Sequence, residues 1–322
     1  MAKQSRMTIP QDYPRIRDEN SPYHGCLNDT TLVPHKYKIP AAQLKTLIKS
    51  AIHNANKKSS RKILLIPLDA SQEEINRICE KQGKNLFRYF KKYCGDPAST
   101  AHQIYGKHCN AVGKEQFRNR TLQKERMNSG WRYQFLVSDC AQKSKRFKAV
   151  SDIGAAEGDF NAVIEFLNKA KKPLTLYVSV KNRSNTMGGQ DWPKAIQALE
   201  NFAQNDRNRI GPYFCVFGLA IDRGTRYIKQ ELRTKKPHSI NTEVWHSDYF
   251  WPFFANYSYD EIMKAVLDVL IELSSPDKLL TEVEVPEKLL ESFGTCCWRA
   301  NLIDDSGKFN DPYKLVRFFC EK

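Results

Sequence analysis

Two apolar runs separated by a basic turn stand out in the chain. FNAVIEFL (Phe160 to Leu167) and LTLYVSVK (Leu174 to Lys181) are short, rich in Val, Ile, Phe, Tyr and Thr, and joined through Asn168 to Pro173. Runs of this length bounded by turn residues predict the two strands of a hairpin. After a polar loop with two glycines, Pro193 opens a segment in which Ala195, Ile196, Leu199 and Phe202 recur at helical spacing. Proline is well placed in the first turn of a helix, where its missing N–H is no loss. The run YFCVFGLAI (Tyr213 to Ile221) then predicts a further strand.

Upstream, residues 1 to 40 carry Pro10, Pro14, Pro22, Pro34 and Pro40 without sustained periodicity and predict an extended arm. Leu44, Leu47, Ile48 and Ile52 mark an amphipathic helix over Ala41 to Asn56, and KILLIPL from Lys62 a buried strand. Ser71 with Glu74 has capping-box spacing and starts a helix toward Cys94, whose Leu86, Phe87, Phe90 and Tyr93 form a core stripe. YQFLVSD from Tyr133 is taken as a strand. Downstream, the aromatic run Trp245 to Phe254 predicts core or a subunit interface. Ser258 with Glu261 opens a helix with an apolar stripe at Ile262, Val266, Leu267, Leu270 and Ile271.

In a strand, residues two apart point the same way, so Ser179 and Lys181 share a face opposite Val178 and Val180. A lysine ending an apolar strand, one hairpin after Asp159, supplies a carboxylate and an ammonium to one place. Metal-assisted phosphodiester hydrolysis needs both kinds of group: oxygen ligands for a hard cation and positive charge beside the attacking water. This pattern, with the order hairpin, helix, strand over residues 150 to 222, resembles the PD-(D/E)XK nuclease superfamily, and within it the type II restriction endonucleases.

That resemblance implies an α/β fold with a mixed central sheet flanked by helices, and a metal-binding role for Asp159 beside a catalytic Lys181. Ser179 stands where the usual pattern has Glu or Asp, as in the S-x-K variant, which takes its second carboxylate from the following helix. Asp191 and Glu200 are the candidates, with Glu157 a third; Glu165, six strand residues from Asp159, is about 20 Å away. The implied cofactor is Mg²⁺ and the implied partner double-stranded DNA, cut at a short, palindromic sequence by a homodimer, with a companion DNA methyltransferase protecting the host. A repair or recombination nuclease with the same core, and a noncatalytic DNA-binding protein that kept the fold, are the alternatives. Asn182, Arg183 and Gln190 in the loop after Lys181, and Arg223, Arg226, Arg233, Lys235 and Lys236 further on, are the DNA-contact candidates.

Charge adds a second line of argument. The 322 residues carry a net charge of +15. Residues 1 to 150 hold 29 Lys and Arg against 12 Asp and Glu, and the remainder 22 against 24. This asymmetry predicts a basic, largely helical DNA-binding part over residues 1 to 130 and a nuclease core with a C-terminal helical region over 131 to 322, with a soft boundary. Nine cysteines without a C-x-x-C pair, and no secretory signal or span of membrane length, predict reduced thiols and a cytoplasmic location. Cys94, His102, His108 and Cys109 offer zinc-type ligands at a spacing that matches no common finger.

Overall fold

A computed structural model describes residues 14–28, 38–60, 70–154, 156–164, 172–184, 191–273 and 285–321, apart from the side chains of 59–60 and 124–126. The strand expected at Lys62 to Leu68, Glu165 and Gln190 lie outside the described residues. The chain divides into two compact units, Met1–Ala55 with Ser129–Ser274, and Asn56–Asn128 with Ser275–Lys322. The expected boundary near 130 coincides with one crossing. The structure adds two more: the described residues up to 55 group with the sheet, and those from 285 onward with the helices of 56–128.

The first unit is mixed α/β. Its six strands are β1 (Ala149–Asp152), β2 (Phe160–Ile164), β3 (Leu174–Lys181), β4 (Tyr213–Leu219), β5 (Arg226–Tyr227) and β6 (Thr242–Trp245). They are ordered β1-β2-β3-β4-β6-β5. The first three run antiparallel, β4 and β6 run parallel to β3, and β5 pairs antiparallel with β6. All seven residues of β4 are buried, as a strand covered on both faces requires.

Side-chain alternation divides the sheet cleanly. Leu176, Val178, Val180, Phe214, Val216 and Trp245 belong to one large core with residues of α1 (Ala41–Ser60), the end of α4 (Cys109–Lys143), α6 (Ser247–Ala255) and α7 (Tyr259–Leu273). Tyr177, Phe217, Leu219 and Val244 pack on the other face against Trp192, Ile196 and Leu199 of α5 (Asp191–Asn205). The aromatic run 245–254 is core as expected: Trp245, Phe250, Trp251, Phe253 and Phe254 are all fully buried.

Two expectations are corrected, and one cation of a basic stretch proves to be core. YQFLVSD is helix, lying inside α4, where Tyr133, Leu136, Val137, Cys140 and Ala141 are buried at the spacing of one helical face. The C-terminal stripe buries Ile262, Val266 and Val269, and leaves Leu267 and Ile271 exposed. In the basic cluster Lys143 to Lys148, Arg146 is fully buried with its guanidinium 4.7 Å from the Phe253 ring.

The second unit is helical among its described residues: α2 (Gln72–Lys92), α3 (Pro97–Ile104), the first part of α4, α8 (Glu287–Arg299) and α9 (Pro312–Cys320). The Ser71–Glu74 capping box is present in full. Cys79, Leu86 and Phe90 of α2 share a core with Leu289, Phe293 and Phe319, whereas Tyr93 is 54% exposed. No helix among the described residues is long and apolar enough to cross a membrane.

Candidate active site

Asp159 sits one residue before β2, at the end of the β2–β3 ladder, where Phe160 pairs with Val178. Its N–H donates to Val178 O at 2.8 Å, and its Oδ2 accepts from Val180 N–H at 2.6 Å. The residue therefore holds β3 on both sides of Ser179. Because Phe160, Ala162 and Ile164 point into the large core, alternation sets Asp159 on the α5 face with Ser179 and Lys181. Lys181 is half-buried at the last position of β3, paired with Leu219, and enters no ion pair among the described residues.

The edge beyond Lys181 is pinned by a carboxylate that the motif does not reveal. Asp222, three residues past the end of β4, accepts from Ser184 N–H at 2.7 Å through Oδ2, and its Oδ1 lies 4.0 Å from Arg183 Nε. Ala220 and Ile221 donate their N–H groups to Lys181 O and Asn182 O at 2.8 and 3.0 Å. The chain leaving Lys181 is thus tied to the chain leaving β4. The carboxyl ends of parallel strands are where α/β sheets build their sites, which is the one sequence-level signal for Asp222.

The candidate second carboxylates separate. Asp191 is exposed at the start of α5, next to Trp192, whose ring packs 5.3 Å from Phe217, the β4 partner of Ser179. That end of the helix is level with Ser179, while Leu199 further along it lies 2.9 Å from where a Cβ on Gly158, the neighbour of Asp159, would stand. Glu200 is elsewhere. Its Oε1 accepts from the hydroxyls of Ser239 and Thr242, and Thr242 pairs through Cys215 with Tyr177. Tyr177 lies four residues before Lys181, about 13 Å along the strand. Burial raises the Glu200 carboxyl above its ordinary range, against the two hydroxyl donors that lower it. Glu157 is exposed in a groove with Ala198, Asn201 and Phe202, beside the far half of α5.

The DNA-contact candidates divide in the same way. Asn182 turns its amide inward to Ser129 Oγ at 2.9 Å. Arg226 is committed to the interior: it donates to Leu27 O at 2.6 Å and to Asn28 Oδ1, and lies 3.6 Å from the buried Glu243. Arg223 forms ion pairs with Asp248, at 3.3 Å, and Asp260. Arg183, Arg233, Lys235 and Lys236 are exposed, the last three in a turn closed by the Gln230–Pro237 bridge.

No group of three His, Cys, Asp or Glu side chains is gathered among the described residues, at the motif or at Cys94, His102, His108 and Cys109. Mg²⁺ does not require such a cage: it keeps several waters and takes one or two carboxylates together with substrate phosphate. Asp159, with Asp191 at the near end of α5, meets that smaller requirement in donor type. No protein-family model matches the chain, and no curated protein matches it.

Proposed function

We propose that the chain is a Mg²⁺-dependent site-specific endonuclease of double-stranded DNA, a type II restriction enzyme with the S-x-K form of the active site. What supports this most is the face that strand alternation gives to Asp159, Ser179 and Lys181 where β2 begins and β3 ends, with Asp159 bonded to Val180 N–H and Asp191 exposed at the start of the covering helix α5. The order of an antiparallel hairpin, a covering helix and a parallel strand agrees with that reading.

In the proposed reaction a water oxygen bonds to phosphorus, the P–O3′ bond breaks, and the products are a 3′-hydroxyl and a 5′-phosphate. Asp159 and Asp191 would hold Mg²⁺, which would supply positive charge at the scissile phosphate. Lys181 stabilises the attacking hydroxide and the negative charge that develops on phosphorus. Asp159 also fixes the backbone of Val180, which restricts where the Lys181 ammonium is delivered. Asp222 fixes the loop that follows. A homodimer on a palindromic sequence places two such sites on the two strands, and a methyltransferase of matching specificity protects host DNA.

A second reading has one observation in its favour. Glu200 is occupied by Ser239 and Thr242, and a carboxylate is missing at Ser179. A DNA-binding protein that kept the fold without catalysis would look the same. The deciding experiment incubates wild type and Lys181→Ala with phage DNA and Mg²⁺. Discrete fragments from wild type alone support the restriction enzyme. Binding without cleavage in Mg²⁺ or Mn²⁺ favours the noncatalytic protein, and equal cleavage by both moves the active site elsewhere.

A further inference from the structure

Helix α2 presents two opposite faces. Cys79, Gly83, Leu86 and Phe90 recur at intervals of three and four and are buried in the helical unit. Arg77, Lys81, Lys84, Arg88 and Lys92 recur at the same intervals about half a turn away, and all five are exposed. The basic row spans sixteen residues, about 22 Å along the axis. Its apolar counterpart is what fixes its orientation, so the cations project outward together.

Surface cations of the sheet-containing unit show what internal engagement looks like. Lys45 and Lys49 of α1 both reach Glu272, at 2.5 and 2.6 Å. Among the described residues, Arg77, Lys81, Lys84 and Arg88 enter no ion pair. Glu80 and Glu291 border Lys84 in a shallow groove without pairing to it. The stretch 56–128 holds 16 Lys and Arg against 7 Asp and Glu, so its excess is not cancelled locally.

We propose that this face of α2 is a docking surface for the sugar–phosphate backbone of duplex DNA. The inference rests on the nuclease reading for the choice of polyanion, and on charge complementarity for the surface itself. One strand of B-DNA presents a phosphate about every 3.4 Å of axis, so a 22 Å row of five cations has more than enough phosphates within reach. Arginine and lysine on an exposed helix face contact phosphate without reading bases, and they set affinity and register rather than sequence.

The test is duplex binding by the full chain in Ca²⁺, followed by fluorescence anisotropy over a series of salt concentrations. The variant carries Arg77→Gln, Lys81→Gln, Lys84→Gln and Arg88→Gln together. Each phosphate contact contributes about 0.9 to the salt slope, so the slope is expected to fall by about 3 to 4, with affinity lower by about tenfold or more. Lys45→Gln with Lys49→Gln, whose ammonium groups both contact Glu272, is the comparison and is expected to leave the slope nearly unchanged. Unfolding curves of all variants are expected to overlay, since every substituted side chain is exposed or half-exposed.

An unchanged slope in the α2 variant overturns the proposal, as does an equal fall in the α1 comparison. A fall seen with single-stranded RNA and absent with duplex DNA also overturns it. Failure of the nuclease reading looks different: wild type that never cleaves, yet loses its salt slope in the α2 variant, leaves the docking surface in place. Loss of cleavage in Lys181→Ala with an unchanged slope separates the two in the other direction.

Discussion

The carboxylate of Asp159 accepts the backbone N–H of Val180 at 2.6 Å, so the proposed metal ligand is also the clamp on the strand that delivers Lys181. One residue thus carries a chemical and a structural role, and substitutions pull them apart. Asp159→Ala is expected to abolish cleavage and to cost about 1–3 kcal/mol, the range for orphaning a buried backbone donor. Asp159→Asn keeps an acceptor in place, so most of the stability should return while cleavage does not. Urea unfolding alongside a cleavage assay checks both; recovery of activity in the Asn variant would remove Asp159 from metal binding.

The Glu200 carboxyl is shifted upward by burial, whereas surface carboxylates such as Glu272 and Asp304 are shifted downward by their donors. Burial raises its folded pKa above the ordinary value, so the native state binds more protons than the unfolded state in the interval between the two. Its contribution is fully present below the unfolded pKa, and is lost as pH rises through the folded pKa. Glu200→Gln retains an oxygen for Ser239 and Thr242 and removes the titration. Its stability relative to wild type should therefore improve as pH rises above the ordinary glutamate value and through the raised folded one. Cleavage should persist in the variant, and a complete loss would return Glu200 to the list of metal ligands.

Glu243 is fully buried on β6 and meets Arg17 at 2.6 Å, the Trp245 indole N–H at 2.9 Å and Arg226 at 3.6 Å. Removing it strands Arg226 in the interior, and Glu243→Ala should cost about 3–5 kcal/mol. Arg17→Ala should cost far less, about 0–1 kcal/mol, because its side chain is 55% exposed and screened by water. Equal effects in thermal unfolding would contradict this ranking.

Gly218 lies on β4 where a Cβ would come within 2.1 Å of the Phe250 ring. The ring is itself fully buried, so there is no direction in which it can yield cheaply. Gly218→Ala should destabilise by about 1–3 kcal/mol through overpacking. Pairing it with Phe250→Leu should recover part of that loss, which double-mutant unfolding measurements can resolve.

Much of the sheet-containing unit is legible in local pattern. The hairpin, the helix after Pro193, the strand from Tyr213 and the two capping boxes depend on residues a few positions apart, and each forms where the spacing places it. The side-chain face shared by Ser179 and Lys181 follows from strand alternation alone. YQFLVSD misleads because seven apolar-rich residues fit either period; the continuation to Cys140 and Ala141 is what makes the face helical. The fate of Glu200 is not local at all, since its hydroxyl partners lie 39 and 42 residues downstream. Asp222 is hidden for a related reason: its partner Ser184 is 38 residues upstream. Charge counted along the chain is also redistributed by folding, because the basic stretch 56–128 shares its unit with 275–322, which holds 7 Lys and Arg against 9 Asp and Glu.

The interleaving of the two units sets an order on biosynthesis. Helix α2 leaves the ribosome early, but Ser292 of α8, which donates to Glu80 O of α2, follows 212 residues later. At about 5–20 residues per second, the apolar stripe of α2 waits about 10–40 seconds for its partner. During that interval the whole sheet-forming segment is made, and its unit can close first. The helical unit is therefore the last to be sealed, and a nascent chain stalled before residue 275 would carry a finished sheet beside an open, half-built helical core.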